Sequence, residues 1–170
     1  ELHKLWRASN VNAYHLEYGY SCMGYEIAGG LGVKMALPDR EVFVMVGDGS
    51  YLMMNSEIAS SVALGEKLVI TVLDNGGFGC IGRLQTGTGG GAFNNLFEDI
   101  PDSIPVGVDF AAHAASLGAI AERVTGIAEL EAALKRARGN DRTTVLVIET
   151  DPVAVTEAGG AQALALGDYQ

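Results

Sequence analysis

The sequence predicts an α/β fold, a doubly wound parallel sheet with helices on both faces. Two observations carry this. Four short, largely apolar runs at 42–46, 68–73, 119–124 and 143–149 read as strands, and stretches with helical spacing separate them. Strands that alternate with helices pair in parallel, because each crossover must return along the face of the sheet. The chain has 170 residues, 48% of them apolar, enough for a single buried core.

The elements follow in order. Met23, Ile27, Leu31 and Met35 recur every fourth residue and mark one helix face, which Pro38-Asp39-Arg40 ends. The run at 42–46 is continuous and partly β-branched, as a strand buried on both faces should be. Ser50 is the expected N-cap of a helix with Met54, Ile58 and Val62 as its stripe and Gly65 as its stop. Residues 68–73 form the second strand. The glycine-rich stretch 75–108 reads as a long functional loop with one helical turn in it. Asp109 caps a short helix carrying Phe110, Ala114 and Leu117, and Gly118 ends it. Residues 119–124 form the third strand, Thr125 caps a helix with Ile127, Leu130, Leu134 and Ala137, and 143–149 form the fourth strand. Met35, Met53 and Met54 read as core filling. The division is a lead-in at 1–22, a domain at 23–151, and an Ala- and Gly-rich tail at 152–170 with no period and no assigned role. The first twenty residues read as mid-protein connection, so an excised domain is expected.

Composition excludes several classes. A net charge of −10, from 21 acidic and 11 basic residues, argues against a nucleic-acid surface. No apolar run approaches the roughly 20 residues that span a bilayer, and no signal peptide opens the chain, so a cytoplasmic protein with no membrane partner is expected. Cys22 and Cys80 lack the spacing of a zinc site and the density of a disulfide framework, and two free thiols are expected.

The chemistry concentrates at two strand ends. Gly47-Asp48-Gly49-Ser50 follows the first strand, and 24 residues separate Gly49 from Asp74-Asn75-Gly76-Gly77 after the second. If the two strands are parallel neighbours, Asp48 and Asn75 stand side by side at the edge where open α/β sheets bind ligands. Their oxygens suit Mg²⁺, which is held by a few carboxylates or carbonyls together with substrate phosphates. Gly49 and Ser50 open the next helix, whose unpaired N–H groups favour a diphosphate. Gly77-Phe78-Gly79-Cys80-Ile81-Gly82 also fits the dinucleotide pattern, but Thr86 to Gly91 is expected to break the helix that pattern requires. His15 beside Glu17 forms a candidate acid–base pair, weighed against a structural or solvent-exposed histidine. His3 and His113 carry no signal, and Glu57 is expected to bond locally.

Gly47-Asp48-Gly49 with Asp74-Asn75 at this spacing resembles the fingerprint of the thiamine-diphosphate-dependent enzymes, with Asp74 in place of the first Asn of the usual pair. The resemblance spans about residues 18–151. It implies thiamine diphosphate and Mg²⁺ as cofactors, with Asp48, the Asn75 side chain and the Gly77 carbonyl as metal ligands. Glu17-Tyr18-Gly19-Tyr20-Ser21-Cys22-Met23-Gly24-Tyr25-Glu26 extends the match: Met23 would wedge between the cofactor rings, and the Ser21 carbonyl would accept from the aminopyrimidine. Cys80, Ile81 and Arg83 fall at substrate-facing positions, with a buried thiol, a core contact and a surface Arg as their plainer readings. Those runs, with 51–58 and 90–95, look most like members that hydrolyse a carbon–carbon bond of a cyclic diketone in inositol catabolism. The alternatives are a 2-oxo acid decarboxylase or acetohydroxyacid synthase type, or a non-catalytic binding module. The family takes its activating Glu from a pyrimidine-binding domain, usually on a partner subunit of a homo-oligomer. That domain is not in these residues, so none of them is assigned a catalytic proton transfer.

Overall fold

The computed structural model describes residues 2–100 and 107–151. The tail at 152–170 lies outside the described residues. Four strands form one parallel sheet in the order β1-β2-β4-β3: β1 is Phe43–Gly47, β2 is Val69–Asp74, β3 is Ile120–Val124 and β4 is Thr144–Glu149. A short turn of helix, α1 (Leu2–Leu5), precedes them. The other helices are α2 (Tyr25–Ala36), α3 (Asp48–Met53), α4 (Glu57–Leu64), α5 (Gly79–Gly87), α6 (Phe110–Ser116) and α7 (Ile127–Gly139). Among the described residues no helix is long and apolar enough to cross a membrane.

The strand period sorts the core into two layers. Val44 and Val46, Ile70 and Val72, and Val145 and Val147 face one way and pack with Ile27 and Leu31 of α2, Tyr51 of α3, Ile58 of α4 and Phe110 and Ala114 of α6. On the opposite face Leu146 and Val124 meet Ala133 of α7, with Leu130 and Leu134 beside it. Helices therefore cover both faces, as the alternation predicted.

β1 departs from its expectation of two-sided burial. It is an edge strand with alternating exposure, and Phe43 and Met45 remain 37% and 40% exposed on the face where α7 packs against Leu146 of β4 and Val124 of β3. The methionines expected in the core are also exposed: Met35 by 56%, Met53 by 59% and Met54 by 46%. A repeat of four residues advances about 400°, so each step drifts about 40° off the stripe. In α2, Ile27 and Leu31 stay buried while Met35 leaves the face. Ile127, at the start of α7, is exposed as well.

Two helix readings change. The single helix expected from Ser50 to Gly65 is two, α3 beginning at Asp48 and α4 at Glu57, so Ser50 is not the cap. Asn55 explains the break: its Nδ2 donates to the Tyr51 carbonyl at 3.1 Å, taking the position of its own backbone N–H. Glu57 bonds locally, through Ser56 Oγ. Asp109 does cap α6, accepting from the Ala112 N–H at 3.0 Å. α7 is capped by Gly126 and not by Thr125, whose N–H and hydroxyl both donate to Glu129.

The stretch read as a loop at 75–108 contains the nine-residue helix α5. Packing overrides its glycine content. A Cβ on Gly79 would stand 3.0–3.1 Å from the Asn75 carboxamide, and Gln85 is held by Asn95 Nδ2 at 2.6 Å while donating to the Gly91 carbonyl. Gly77-Phe78-Gly79 therefore does open a helix, and it ends at Gly87, within the stretch Thr86 to Gly91 expected to break it.

Candidate metal and diphosphate site

β1 and β2 are parallel neighbours, and the pairing of Gly47 with Leu73 brings both out at the same edge of the sheet. Asp48 is the first residue of α3, and Asn75 follows the last residue of β2. Asp48 is only 1% exposed. Its Oδ2 accepts from the Gly77 N–H at 2.6 Å. One terminal atom of the Asn75 carboxamide lies 3.2 Å from Asp48 Oδ1 and 3.0 Å from the Gly77 carbonyl oxygen.

That triangle has two chemical states. With Nδ2 inward, Asn75 donates to both oxygens. With Oδ1 inward, three oxygens face one another, an arrangement that needs a cation between them. Cis oxygens of an octahedral Mg²⁺ site, each about 2.1 Å from the metal, stand about 3.0 Å apart. The two observed edges, which suit hydrogen bonds from an inward Nδ2, match that spacing as well. Among the described residues no trio of His, Cys, Asp or Glu gathers as a metal cluster; the donors here are a carboxylate, a carboxamide and a carbonyl, hard oxygens that suit Mg²⁺ better than zinc.

The electrostatics favour a cation. Burial pushes the Asp48 carboxyl up; the N–H groups of Gly77, Asn75 and Gly49 pull it down, and the charge of Asp74 adds to the rise. Among the described residues no Lys or Arg pairs with Asp48. The nearby pair is Arg123 with Asp74, at 3.7 Å.

The loop is held where no side chain would fit. Gly77 has φ +143, and a Cβ on it would stand 2.5 Å from the Asn95 carbonyl oxygen. A Cβ on Gly49 would meet the Phe78 ring at 2.7 Å and the Gly77 carbonyl oxygen at 3.2 Å. From the other side residues 95–97 clamp the loop: the Phe78 N–H donates to the Asn95 carbonyl at 2.7 Å, the Phe97 N–H donates to the Gly76 carbonyl at 2.9 Å, and Gly77 bridges Leu96. Sequence reasoning missed Phe78 and Asn95 in this role. Asn95 acts in the clamp through its backbone carbonyl, so no side-chain pattern marks it.

The remaining predicted residues lie around this corner. Gly49 and Ser50 are buried in the first turn of α3. Ser21 and Met23 lie in the turn before α2, Ser21 with φ +52 and Met23 36% exposed. That turn abuts the far end of α3, since a Cβ on Gly24 would stand 3.1 Å and 3.3 Å from the Cβ atoms of Met54 and Met53. Six helical residues put about 9 Å between the two ends of α3. Cys80, Ile81 and Arg83 lie on α5 directly after the Gly76-Gly77 turn, all exposed. Both cysteines are free and exposed, so the buried-thiol reading of Cys80 is excluded. His15 does not pair with Glu17; its Nε2 bonds the Tyr25 hydroxyl at 2.7 Å, while Glu17 accepts backbone N–H groups. His113, read as silent, bonds the buried Tyr51 hydroxyl at 2.8 Å, and burial pushes that phenol up to about 12.

Residues 1–148 match the family model of the thiamine pyrophosphate enzymes, C-terminal TPP binding domain. The chain is 43% identical over 157 residues to 3D-(3,5/4)-trihydroxycyclohexane-1,2-dione hydrolase of Shouchella clausii (strain KSM-K16), and equally so to that of Bacillus subtilis (strain 168). Each alignment covers 92% of this chain and 24% of the relative, so the chain spans about a quarter of the length of these proteins. Among solved structures, the thiamine diphosphate-dependent 4-hydroxybenzoylformate decarboxylase of Rhodococcus jostii RHA1 is similar, with a TM-score of 0.64 and 25% identity over 76% of this chain and 23% of that one.

Proposed function

This chain belongs to the thiamine pyrophosphate enzymes, as their C-terminal cofactor-binding domain, and from that premise we propose that it is the diphosphate- and Mg²⁺-holding part of a hydrolase acting on trihydroxycyclohexane-1,2-dione in inositol catabolism. The observation that carries the site assignment is the triangle of Asp48, Asn75 and Gly77, whose 3.0 Å and 3.2 Å edges fit cis oxygens around Mg²⁺. The cofactor, when bound, supplies a nucleophilic ring carbon and an electron sink for breaking a bond next to a carbonyl.

This chain's residues bind and orient. Asp48, the Asn75 oxygen and the Gly77 carbonyl would hold Mg²⁺, which would supply positive charge for the diphosphate. Gly49 and Ser50 offer first-turn N–H groups to the same anion. Met23 and the Ser21 carbonyl receive the rings at the other end of α3. Cys80, Ile81 and Arg83, on the exposed first turns of α5, face the substrate. The proton-moving Glu comes from a pyrimidine-binding domain outside these residues, so the working protein is larger, and we place it in the cytoplasm as a homo-oligomer.

A second reading is a 2-oxo acid decarboxylase, favoured by the likeness to the Rhodococcus enzyme. The 43% identity to the hydrolases over most of the chain weighs against it. The two separate on substrate: the complete protein should open trihydroxycyclohexane-1,2-dione in preference to decarboxylating pyruvate or an aryl 2-oxo acid, with products followed by mass spectrometry. This domain by itself should turn over neither. A complete protein that prefers the 2-oxo acid would move the assignment to the decarboxylases.

A further inference from the structure

Between the lead-in and α2 the chain turns through residues 17–24 with almost no regular structure, and two carboxylates hold it. Glu17 Oε1 accepts from the Tyr20 N–H at 2.9 Å, and Oε2 accepts from the Cys22 N–H at 2.6 Å. The Gly19 N–H adds a weaker contribution, and together these donors hold the Glu17 carboxyl below the usual carboxylate range. Glu26 Oε2 takes the Gly24 N–H at 3.0 Å.

Ser21 lies between the two N–H groups that Glu17 holds. Its φ of +52 is a left-handed conformation that a residue with a side chain adopts only where its surroundings impose it. Its carbonyl has no hydrogen-bond donor among the described residues. The turn then closes on α3 through Gly24, φ +90, where an added Cβ would press on Met54 and Met53 at 3.1 Å and 3.3 Å. A turn with its N–H groups occupied, a free carbonyl and a fixed abutment on the helix begun by Asp48 has the construction of a preset acceptor.

We propose that Glu17 is a positioning residue for the ring end of the cofactor: through the N–H groups of Tyr20 and Cys22 it fixes the Ser21 carbonyl and Met23 relative to α3. It touches no ligand itself. The inference rests on the cofactor reading above and assigns Glu17 a role separate from that of the metal corner. A carboxylate is required, because a glutamine has one acceptor oxygen and would turn its NH₂ toward a backbone N–H.

The test separates the two ends of the cofactor. Glu17→Gln and the parent are titrated calorimetrically, as the complete protein carrying this domain, with Mg²⁺–thiamine diphosphate and, separately, with Mg²⁺ and inorganic diphosphate, which has no rings. Thiamine diphosphate should bind Glu17→Gln about tenfold or more weakly, while inorganic diphosphate binds both proteins alike. Equal loss for both ligands would assign Glu17 to general stability and overturn the proposal, as would no loss for either. If the parent itself fails to bind thiamine diphosphate, the cofactor reading falls and this proposal falls with it.

Discussion

The ends of β1 and β2 and the end of β3 are strand-to-helix junctions at one edge of one sheet, built in opposite ways. After β3 the chain satisfies itself in water. The Thr125 N–H and hydroxyl both reach Glu129 Oε2 at 2.8 Å, and a Cβ on Gly126 would meet nothing within 4 Å. At β1 and β2 a carboxylate is buried with no basic partner among the described residues, beside two more oxygen-bearing groups, where a Cβ on Gly49 or Gly77 would collide. The β3 junction is stable as it stands. The β1/β2 corner holds a charge that burial opposes, the feature on which the proposed ligand site rests.

Removing the charge should have the largest effect. Asp48→Ala is expected to weaken Mg²⁺-dependent binding of thiamine diphosphate by more than about 100-fold, beyond the loss usual for outer-shell residues, and calorimetry with and without Mg²⁺ checks it. Asn75→Leu should lose roughly 10- to 100-fold and keep its circular dichroism spectrum, since the side chain lies at a strand end. Loss of secondary structure would instead make Asn75 a turn residue like those of the β3 junction.

Next in size is packing. Gly77→Ala forces a Cβ to 2.5 Å from the Asn95 carbonyl oxygen at φ +143, and denaturant unfolding should show a loss of roughly 2 kcal/mol. Gly126→Ala, at an extended φ with open space around it, should lose far less.

The sign of the Asp48 shift gives a pH dependence. Its folded-state value is raised, by burial first. Ionisation therefore opposes folding of the metal-free protein: the penalty is absent below the ordinary carboxylate value, grows as pH rises to the folded value, and stays constant above it. Metal-free stability measured by chemical unfolding should fall across that window, and Asp48→Asn should flatten the fall. The smallest effect is expected at the other junction, where Thr125→Ala should shift stability by no more than about 0.5 kcal/mol and leave cofactor binding unchanged.

Much of this contrast was legible beforehand. The strand ends carrying Asp48 and Asn75 follow from apolar runs, a local signal; that the two strands are neighbours stood there as a condition, and the strand order meets it. What escaped was set by packing between distant segments. α5 is a helix because Asn75 and Asn95 pack against its glycines, and no propensity records that. The break between α3 and α4 depends on the rotamer of Asn55. Glu17 was read against its sequence neighbour His15, whereas its partners are backbone N–H groups that converge only once the turn has closed. The exposed Phe43 and Met45 follow from the edge position of β1, which a strand pattern cannot reveal.

The central claim is that the oxygens of Asp48, Asn75 and Gly77 hold a divalent cation, and Mn²⁺ in place of Mg²⁺ tests it most directly. Added at low occupancy with thiamine diphosphate to the labelled chain, Mn²⁺ should broaden the amide resonances of Gly49, Asn75 and Gly77 at lower concentration than those of Thr125 and Gly126, and excess Mg²⁺ should restore the lost signals. Broadening that begins instead around Glu122 or Glu129, or that persists unchanged in Asp48→Ala, would contradict the claim.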